Sequence, residues 1–535
     1  MDVLAIFPEW LITHGAALMV VLPLMMGALC AVLPNERLAW LLVMIVTLIC
    51  AVTGLGVLLT IMGGDSMSYA MGGWDPPKGI ALEIDGLSAP VMLLISVMAV
   101  LCSIYALPAT IAEVEPRKRA PFYAAFLVCF AGLLGMVATG DAFNVFVFLE
   151  VSSISTYVLV AMGSSRDRRA LHSAYRYLIL GSIGATFFVI GIGFLYMETG
   201  TLNMADMARV LRELDGGSRV SQVAFGFIIV GLGLKLAMFP LHMWLPGAYA
   251  HSPTYVTAFL ASTATKAALY LLIRFIFTVF DPNVDYVAVI VTRLIVGVAV
   301  VGMLFASLQA IFQTDIRRAL AYSSVAQVGY MLLGIGLATA GSVSAGYLHL
   351  INHAVIKGAL FIAVGAFWYR FGITRVADMR GLGKTMPLTM GAFMIAGLSL
   401  IGLPFTAGFV SKYNLASAAA DKGWWWAVAV IMFTSIFAII YIGQMLKVAY
   451  FDDPHEIDGV AVVRNEAPLA MLIPLWILAG LSIVIGMGFD GGFVVEASEG
   501  AAKAIGFGPF VDGGFGFTAE LNGLPENGLS AEVAP

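Results

Sequence analysis

Apolar stretches of about 20 residues, the length that crosses a bilayer as a helix, follow one another along almost the whole chain. They fall at 11–33, 38–62, 88–112, 121–140, 142–162, 171–198, 220–240, 254–280, 286–311, 319–338, 343–370, 387–411, 424–451 and 467–489. The chain is 60% hydrophobic and only 11% charged over 535 residues, whereas soluble domains carry roughly 25% charged residues. Lipid is therefore the solvent, and backbone groups in lipid must be satisfied within the segment itself, so the spans are helices. The expectation is an all-α membrane protein of about 14 transmembrane helices. A net charge of −5 and the lack of any long basic run exclude a nucleic-acid partner. Cys30, Cys50, Cys102 and Cys129 sit singly in apolar stretches without metal or redox spacing, and read as packing residues.

Loop charge sets the orientation. Met1 to Trp10 carries Asp2 and Glu9 but no Lys or Arg, unlike a cleavable signal, so the first helix is expected to stay with its N-terminus outside. The inner loops then receive Arg37, Arg117-Lys118-Arg119, Arg166 with Arg168 and Arg169, Arg317-Arg318, Arg375, Arg380, Lys384 and Arg464. The outer loops receive fewer basic residues, and the 63–85 loop is acidic, with Asp65, Asp75, Glu83 and Asp85. Both termini fall on the outer side of what is expected to be a bacterial inner membrane.

Spans four to eight and nine to thirteen make two blocks of five. An odd block repeated once emerges inverted, a recurrent transporter arrangement. In the seventh span GLGLKLAMFP runs into a proline and a second piece follows; in the twelfth GLSLIGLPF does the same. Both helices are expected to be interrupted, and exposed backbone at such breaks must line protein or water. The chain thus divides into a three-helix segment (1–120), two five-helix repeats (121–280 and 286–451), a last helix (452–490) and a flexible outer-side tail (491–535).

Ionisable residues at bilayer depth are costly and mark function. Glu150 lies midway through the fifth span, Lys235 five residues before the seventh-span proline, and Lys266 in the middle of the eighth, after the small residues Ala261 to Ala264. In HLINHAVIKGALF, His349, His353 and Lys357 fall at i, i+4 and i+8, one stripe about 12 Å long. Histidine changes charge near neutral pH, so the stripe suits stepwise proton movement. It lacks the third or fourth ligand of a metal site, and no metal or cofactor is expected. His242, after the seventh-span break, is placed to connect Lys235 with Lys266, and Lys412 follows the twelfth-span break. Arg274 and Lys447 are read as snorkelling to the interface and His251 as solvated. Tyr322, Ser323, Ser324 and Gln327 serve either to hold water or to join helices. No catalytic triad or phosphate loop is visible, so the expectation is a transporter subunit rather than an enzyme.

At these residues the chain resembles a known family. NVFVFLEVSSISTYVL, GLKLAMFPLHMWLPGAYAHSPTYVTAFLASTATKAALYLL, DIRRALAYSSVAQVGYMLLG, HLINHAVIKGALF and LPFTAGFVSKY are similar to the antiporter-like subunits shared by Mrp-type sodium/proton antiporters, respiratory complex I and membrane-bound hydrogenases. The likeness covers roughly residues 85–450. The 411–451 stretch looks closest to the D subunit of the Mrp-type antiporters. The resemblance implies 14 spans with the inverted repeats and breaks named above. It implies that Glu150 pairs with Lys235, that Lys266 carries protons, that His349, His353 and Lys357 form the central relay, and that Lys412 stands by the proton exit. One of the complex I subunits has glutamate there, and the lysine leans away from it. The long lateral helix of the largest complex I subunit of this type is also absent. The function implied is proton translocation in a multisubunit Na⁺/proton antiporter, with other membrane subunits as partners; the alternative is a proton-pumping subunit of a redox complex (NADH:quinone oxidoreductase or membrane-bound hydrogenase). A third reading is a scaffold whose charges only join helices.

Overall fold

The computed structural model describes residues 8–64, 66–453, 464–488 and 492–506. Fourteen apolar spans are present among them. We number them α1 (Gly15–Ala31), α2 (Glu36–Met62), α3 (Ser88–Glu113), α4 (Arg119–Ala138), α5 (Ala142–Ala161), α6 (Arg169–Thr199), α7 (Arg219–Leu236 and Leu245–His251) and α8 (Thr254–Arg274). The remainder are α9 (Asp285–Ile311), α10 (Ile316–Leu337), α11 (Ala340–Phe371), α12 (Pro387–Ile401 and Ala407–Asp421), α13 (Trp425–Phe451) and α14 (Leu469–Met487). The loop before α3 also holds a two-stranded hairpin that hydropathy does not reveal, β1 (Met67–Ala70) against β2 (Ala81–Ile84).

The inverted repeat is visible in the chain's own hydrogen bonds. Asp141 caps α5 through Asn144 N–H, and Asp315 caps α10 through Arg318 N–H. Each aspartate makes a short antiparallel bridge to the segment just beyond the following helix, Asp141 with Asn203 and Asp315 with Arg375. Helices α6 and α11 both end on a left-handed glycine, Gly200 and Gly372. In α4–α8, α4 packs on α5, α5 on α6 and α6 on α7; in α9–α13, α9 packs on α10, α10 on α11 and α11 on α12.

The two breaks are built alike. The first half of α7 ends on Ala237 in the left-handed region (φ 59°), and the first half of α12 ends on Gly402 (φ 96°). Met238 N–H then returns to Gly233 C=O, and Leu403 N–H to Leu398 C=O, which satisfies carbonyls the broken helix would otherwise strand. Pro240 and Pro404 follow and prevent the helices from continuing.

Helix α11 is the axis of the fold. It is buried from Ala340 to Phe367 and packs against α3, α8, α10, α12 and α14. Small residues allow this crowding: a Cβ at Gly346 would meet the Met331 carbonyl at 3.1 Å, and one at Gly365 would overlap the Tyr105 hydroxyl. The described part of the expected tail is helical. Phe493–Ala504 is a helix that buries Val495, Ala497, Ala501 and Ala502 and packs on α11. Its apolar residues recur at helical spacing, enough to hold one face down despite the glycines and acids around them. The rest of the tail, 507–535, lies outside the described residues.

Candidate functional site

The intramembrane charges converge on the interior of the two repeats. Helix α5 brings Glu150 to a half-buried position, with Oε1 shielded and without a hydrogen-bond partner. One turn on, the Ser153 hydroxyl accepts a hydrogen bond from the Lys235 ammonium. No ion pair joins Glu150 and Lys235 among the described residues. The direct pairing implied by the resemblance is therefore not made here: the amine is held by Ser153, which in turn donates to the Leu149 carbonyl. The Lys235 Nζ also lies 5.7 Å from the centre of the Tyr177 ring, which stacks on Trp244 at 4.0 Å. The Trp244 indole donates to the Leu234 carbonyl at 2.8 Å and so covers the broken end of α7.

Lys266 on α8 is fully buried. Its Nζ donates to the Ala261 carbonyl and, at 3.4 Å, to Thr265 Oγ1. Its helix α8 packs against α11, which carries the His349, His353 and Lys357 stripe. Lys357 donates to the Leu320 carbonyl at 2.8 Å and to the Ser323 hydroxyl. The His349 and His353 rings lie parallel, 6.2 Å apart. His349 meets Gln327 Oε1 through Nε2 and the Ser411 hydroxyl through Nδ1, both at 2.8 Å. Both nitrogens of His353 are buried without a hydrogen-bond partner.

Lys412 closes the line. Its Nζ donates to the Leu400 and Ile401 carbonyls, 2.9 and 3.0 Å away, at the end of the first half of α12. A cation there faces the negative end of a helix. The amine lies 4.8 Å from the centre of the Tyr330 ring, and Tyr330 in turn lies 5.5 Å from the His349 ring.

His242 is buried among Phe239, Phe305 and Tyr322. It bonds neither Lys235 nor Lys266, and its nearest link to the line is Tyr322, the neighbour of Ser323. Two sequence readings are corrected. His251 is buried rather than solvated, with Nδ1 at 2.9 Å from Ser173 Oγ and 3.0 Å from the Gly247 carbonyl. Arg274 does not snorkel: it forks onto both Asp85 oxygens at 2.7 Å and is buried, because the hairpin loop folds a carboxylate over it. Lys447 is exposed, as expected.

The sequence reading missed Tyr330 and Ser411, which lie between His349 and Lys412. Ser323 and Gln327, read there as holding water or joining helices, contact the stripe directly. At the other end of α8, the buried Glu113 accepts Thr254 N–H at 3.0 Å and Arg166 at 2.7 Å. Glu113 and Asp85 stand at opposite ends of α3, so α3 clamps α8, the Lys266 helix, at both faces. Among the described residues no group of three or more His, Cys, Asp or Glu is disposed to hold a metal.

Comparison with known proteins places this geometry in context. The family described as NADH:quinone oxidoreductase/Mrp antiporter, transmembrane, matches residues 139–438, which carry both breaks and every residue of the buried line. The chain is 42% identical over 436 residues to the N subunit of the NADH-quinone oxidoreductase of Desulforudis audaxviator, covering 80% of this chain and 85% of that one. It is 30% identical over 418 residues to the D subunit of the Na⁺/H⁺ antiporter of Alkalihalophilus pseudofirmus, covering 78% and 82%. Among solved structures it superposes on a chain of the membrane-bound sulfane sulfur reductase, an archaeal respiratory membrane complex, with a TM-score of 0.84 and 32% identity over 92% of this chain and 98% of that one.

Proposed function

Since the chain belongs to the NADH:quinone oxidoreductase/Mrp antiporter membrane family, we propose that it is a proton-translocating subunit of a multisubunit membrane complex. Protons pass along Glu150, Lys235, Lys266, Lys357, His353, His349 and Lys412, with His242 beside the line. The observation that carries this reading is that Lys235, Lys266, Lys357 and Lys412 are all buried, while no carboxylate stands within ion-pair distance of any of them among the described residues. Lysines kept only as helix glue would be paired, as Arg274 and Arg166 are.

The parent complex is either a monovalent cation (Na⁺)/proton antiporter or a redox-driven pump. The antiporter relatives favour the first; the 42% identity to an oxidoreductase N subunit favours the second. The basic residues of the expected inner loops support both termini lying outside the bacterial inner membrane, and the partners are further membrane subunits.

The test is Lys357→Met in the whole complex, reconstituted in vesicles with a pH-sensitive dye. Cation-driven and electron-donor-driven ΔpH are measured separately, which also distinguishes the two parents. The expected result is loss of ΔpH formation with assembly intact. Wild-type ΔpH in the variant would refute the relay.

A further inference from the structure

Helix α8 carries a second polar stripe: Lys266, Tyr270 and Arg274, at i, i+4 and i+8. Such residues lie one above another on a single helix face. The Tyr270 hydroxyl accepts hydrogen bonds from Arg274 Nε and Nη2 at 3.1 and 3.0 Å. Arg274 is locked onto Asp85, whose carboxylate also takes Ser88 N–H at 2.9 Å. Asp85 lies outside the spans. Burial raises its carboxyl, but Arg274 and Ser88 outweigh that and hold it below the usual value.

A cavity of about 320 Å³ reaches this stripe from the hairpin face. Ser66 and Pro76 on its lining are exposed, whereas Tyr270 and Arg274 are buried. The cavity therefore runs from the surface to within one helical turn of Lys266, roughly 6 Å along the axis. Thr278, also on the lining, has a buried hydroxyl without a hydrogen-bond partner. A second cavity, of about 680 Å³, is lined by Asp85 together with Glu496 and Glu499 of the C-terminal helix. The Asp85–Arg274 pair stands between open space and the buried lysine.

We infer that Tyr270 and the Asp85–Arg274 pair form a gated proton branch between Lys266 and the hairpin face of the protein. The inference rests on the relay proposed above. In the structure the Lys266 amine folds back toward Ala261, away from Tyr270, and the gate is shut. When the side chain swings one turn toward Tyr270, its ammonium gives up a proton. The Tyr270 hydroxyl takes that proton and releases its own into the cavity that it lines, while the Asp85–Arg274 pair holds the hydroxyl in place. Arg274 keeps its proton throughout; it holds Asp85 in place and repels any further cation while the pair is closed.

The test uses the complete complex in sealed vesicles and compares Lys266→Met, Tyr270→Phe and Thr278→Cys. Tyr270→Phe keeps the ring and removes only the hydroxyl. With assembly unchanged, proton transport should fall by roughly 100-fold, the low end of what losing a proton-transfer group costs. Thr278→Cys should react with a membrane-impermeant maleimide from the hairpin side, over little background because all four native cysteines are buried. Full transport in Tyr270→Phe alongside none in Lys266→Met overturns the branch and leaves the relay standing. Full transport in Lys266→Met overturns the relay itself. A Thr278→Cys thiol that reacts only after denaturation overturns the branch whatever Tyr270→Phe does, since the cavity would then not open to solvent.

Discussion

Replacing Lys266 by methionine separates a conducting role from a structural one, because the two predict opposite stability changes. The amine gives one hydrogen bond to the Ala261 carbonyl and one long one to Thr265 Oγ1. Ala261 is in mid-helix, so its carbonyl already accepts from the backbone N–H four residues on. Removing the lysine strands no acceptor there. What the protein sheds is a fully buried cation without a counter-ion, and replacing buried charges by apolar side chains of similar volume is neutral or stabilising by about 1–4 kcal/mol. Methionine matches the stem in length and adapts its shape. Lys266→Met should therefore leave the thermal midpoint of the purified complex unchanged or raise it, while transport in vesicles is lost. Both are measured on one preparation, by thermal unfolding and by dye-detected ΔpH. A midpoint lowered by several degrees, with transport falling only in proportion to intact complex, would show that the lysine holds helices together and would refute the reasoning.

Other predictions follow from single contacts. In Gly408→Ala the new Cβ would overlap the Ser399 carbonyl, so the halves of α12 cannot keep their spacing; the assembled complex should largely disappear, whereas Gly480→Ala, with nothing within 4 Å, should assemble normally on a native gel. Glu113→Gln leaves Arg166 without its counter-ion and should cost about 3–5 kcal/mol, read as a lower thermal midpoint that Arg166→Met partly restores. In the loop before α6, the hydrogen bond from Arg169 holds Asp167 down at about 2, from an ordinary value near 3.8. The stability it adds is complete above that ordinary value and is lost as pH falls through about 2. Because Arg169 is mostly exposed, the contribution should stay below about 1 kcal/mol, and Asp167→Asn should flatten the acid limb of unfolding by no more than that.

Much of the architecture was legible because lipid simplifies the reading. Hydropathy gives the spans, the loop arginines their direction, and a proline after a glycine-rich half-helix each break. Glu150, Lys235, Lys266 and the α11 stripe were legible for the same reason: a charge in an apolar run needs explaining. What stayed hidden is pairing across sequence. Arg274 looks like a snorkelling end residue until Asp85, 189 positions away, folds over it. His251 looks solvated until Ser173 is seen beside it. Tyr330 carries no charge, and nothing local distinguishes it from a packing tyrosine; its place between Lys412 and His349 exists only once α10, α11 and α12 are packed. The helix at 493–504 was obscured by the glycines and acids around its short apolar face.

The neutrality of the acceptors around the buried lysines has a consequence of its own. A protonated lysine has three donors, and a neutral amine has two. Lys357 meets two acceptors, the Leu320 carbonyl and the Ser323 hydroxyl, and Lys412 meets two carbonyls plus a long contact of 3.4 Å to Ser435. Either amine can lose its proton and still satisfy its close partners, so departure of the proton strands nothing. A carboxylate in the same place would remove that indifference. Ser323→Asp puts one where the Lys357 amine already bonds, and at about 4 Å such a pair gains roughly 4 kcal/mol at an effective dielectric constant of 20. A proton held that much more tightly leaves on the order of 10³-fold more slowly. The variant should assemble, with its new acid neutralised by the lysine beside it, and should transport protons at a small fraction of the normal rate in the same vesicles. Wild-type transport from Ser323→Asp would mean that protons do not pass through Lys357 at all.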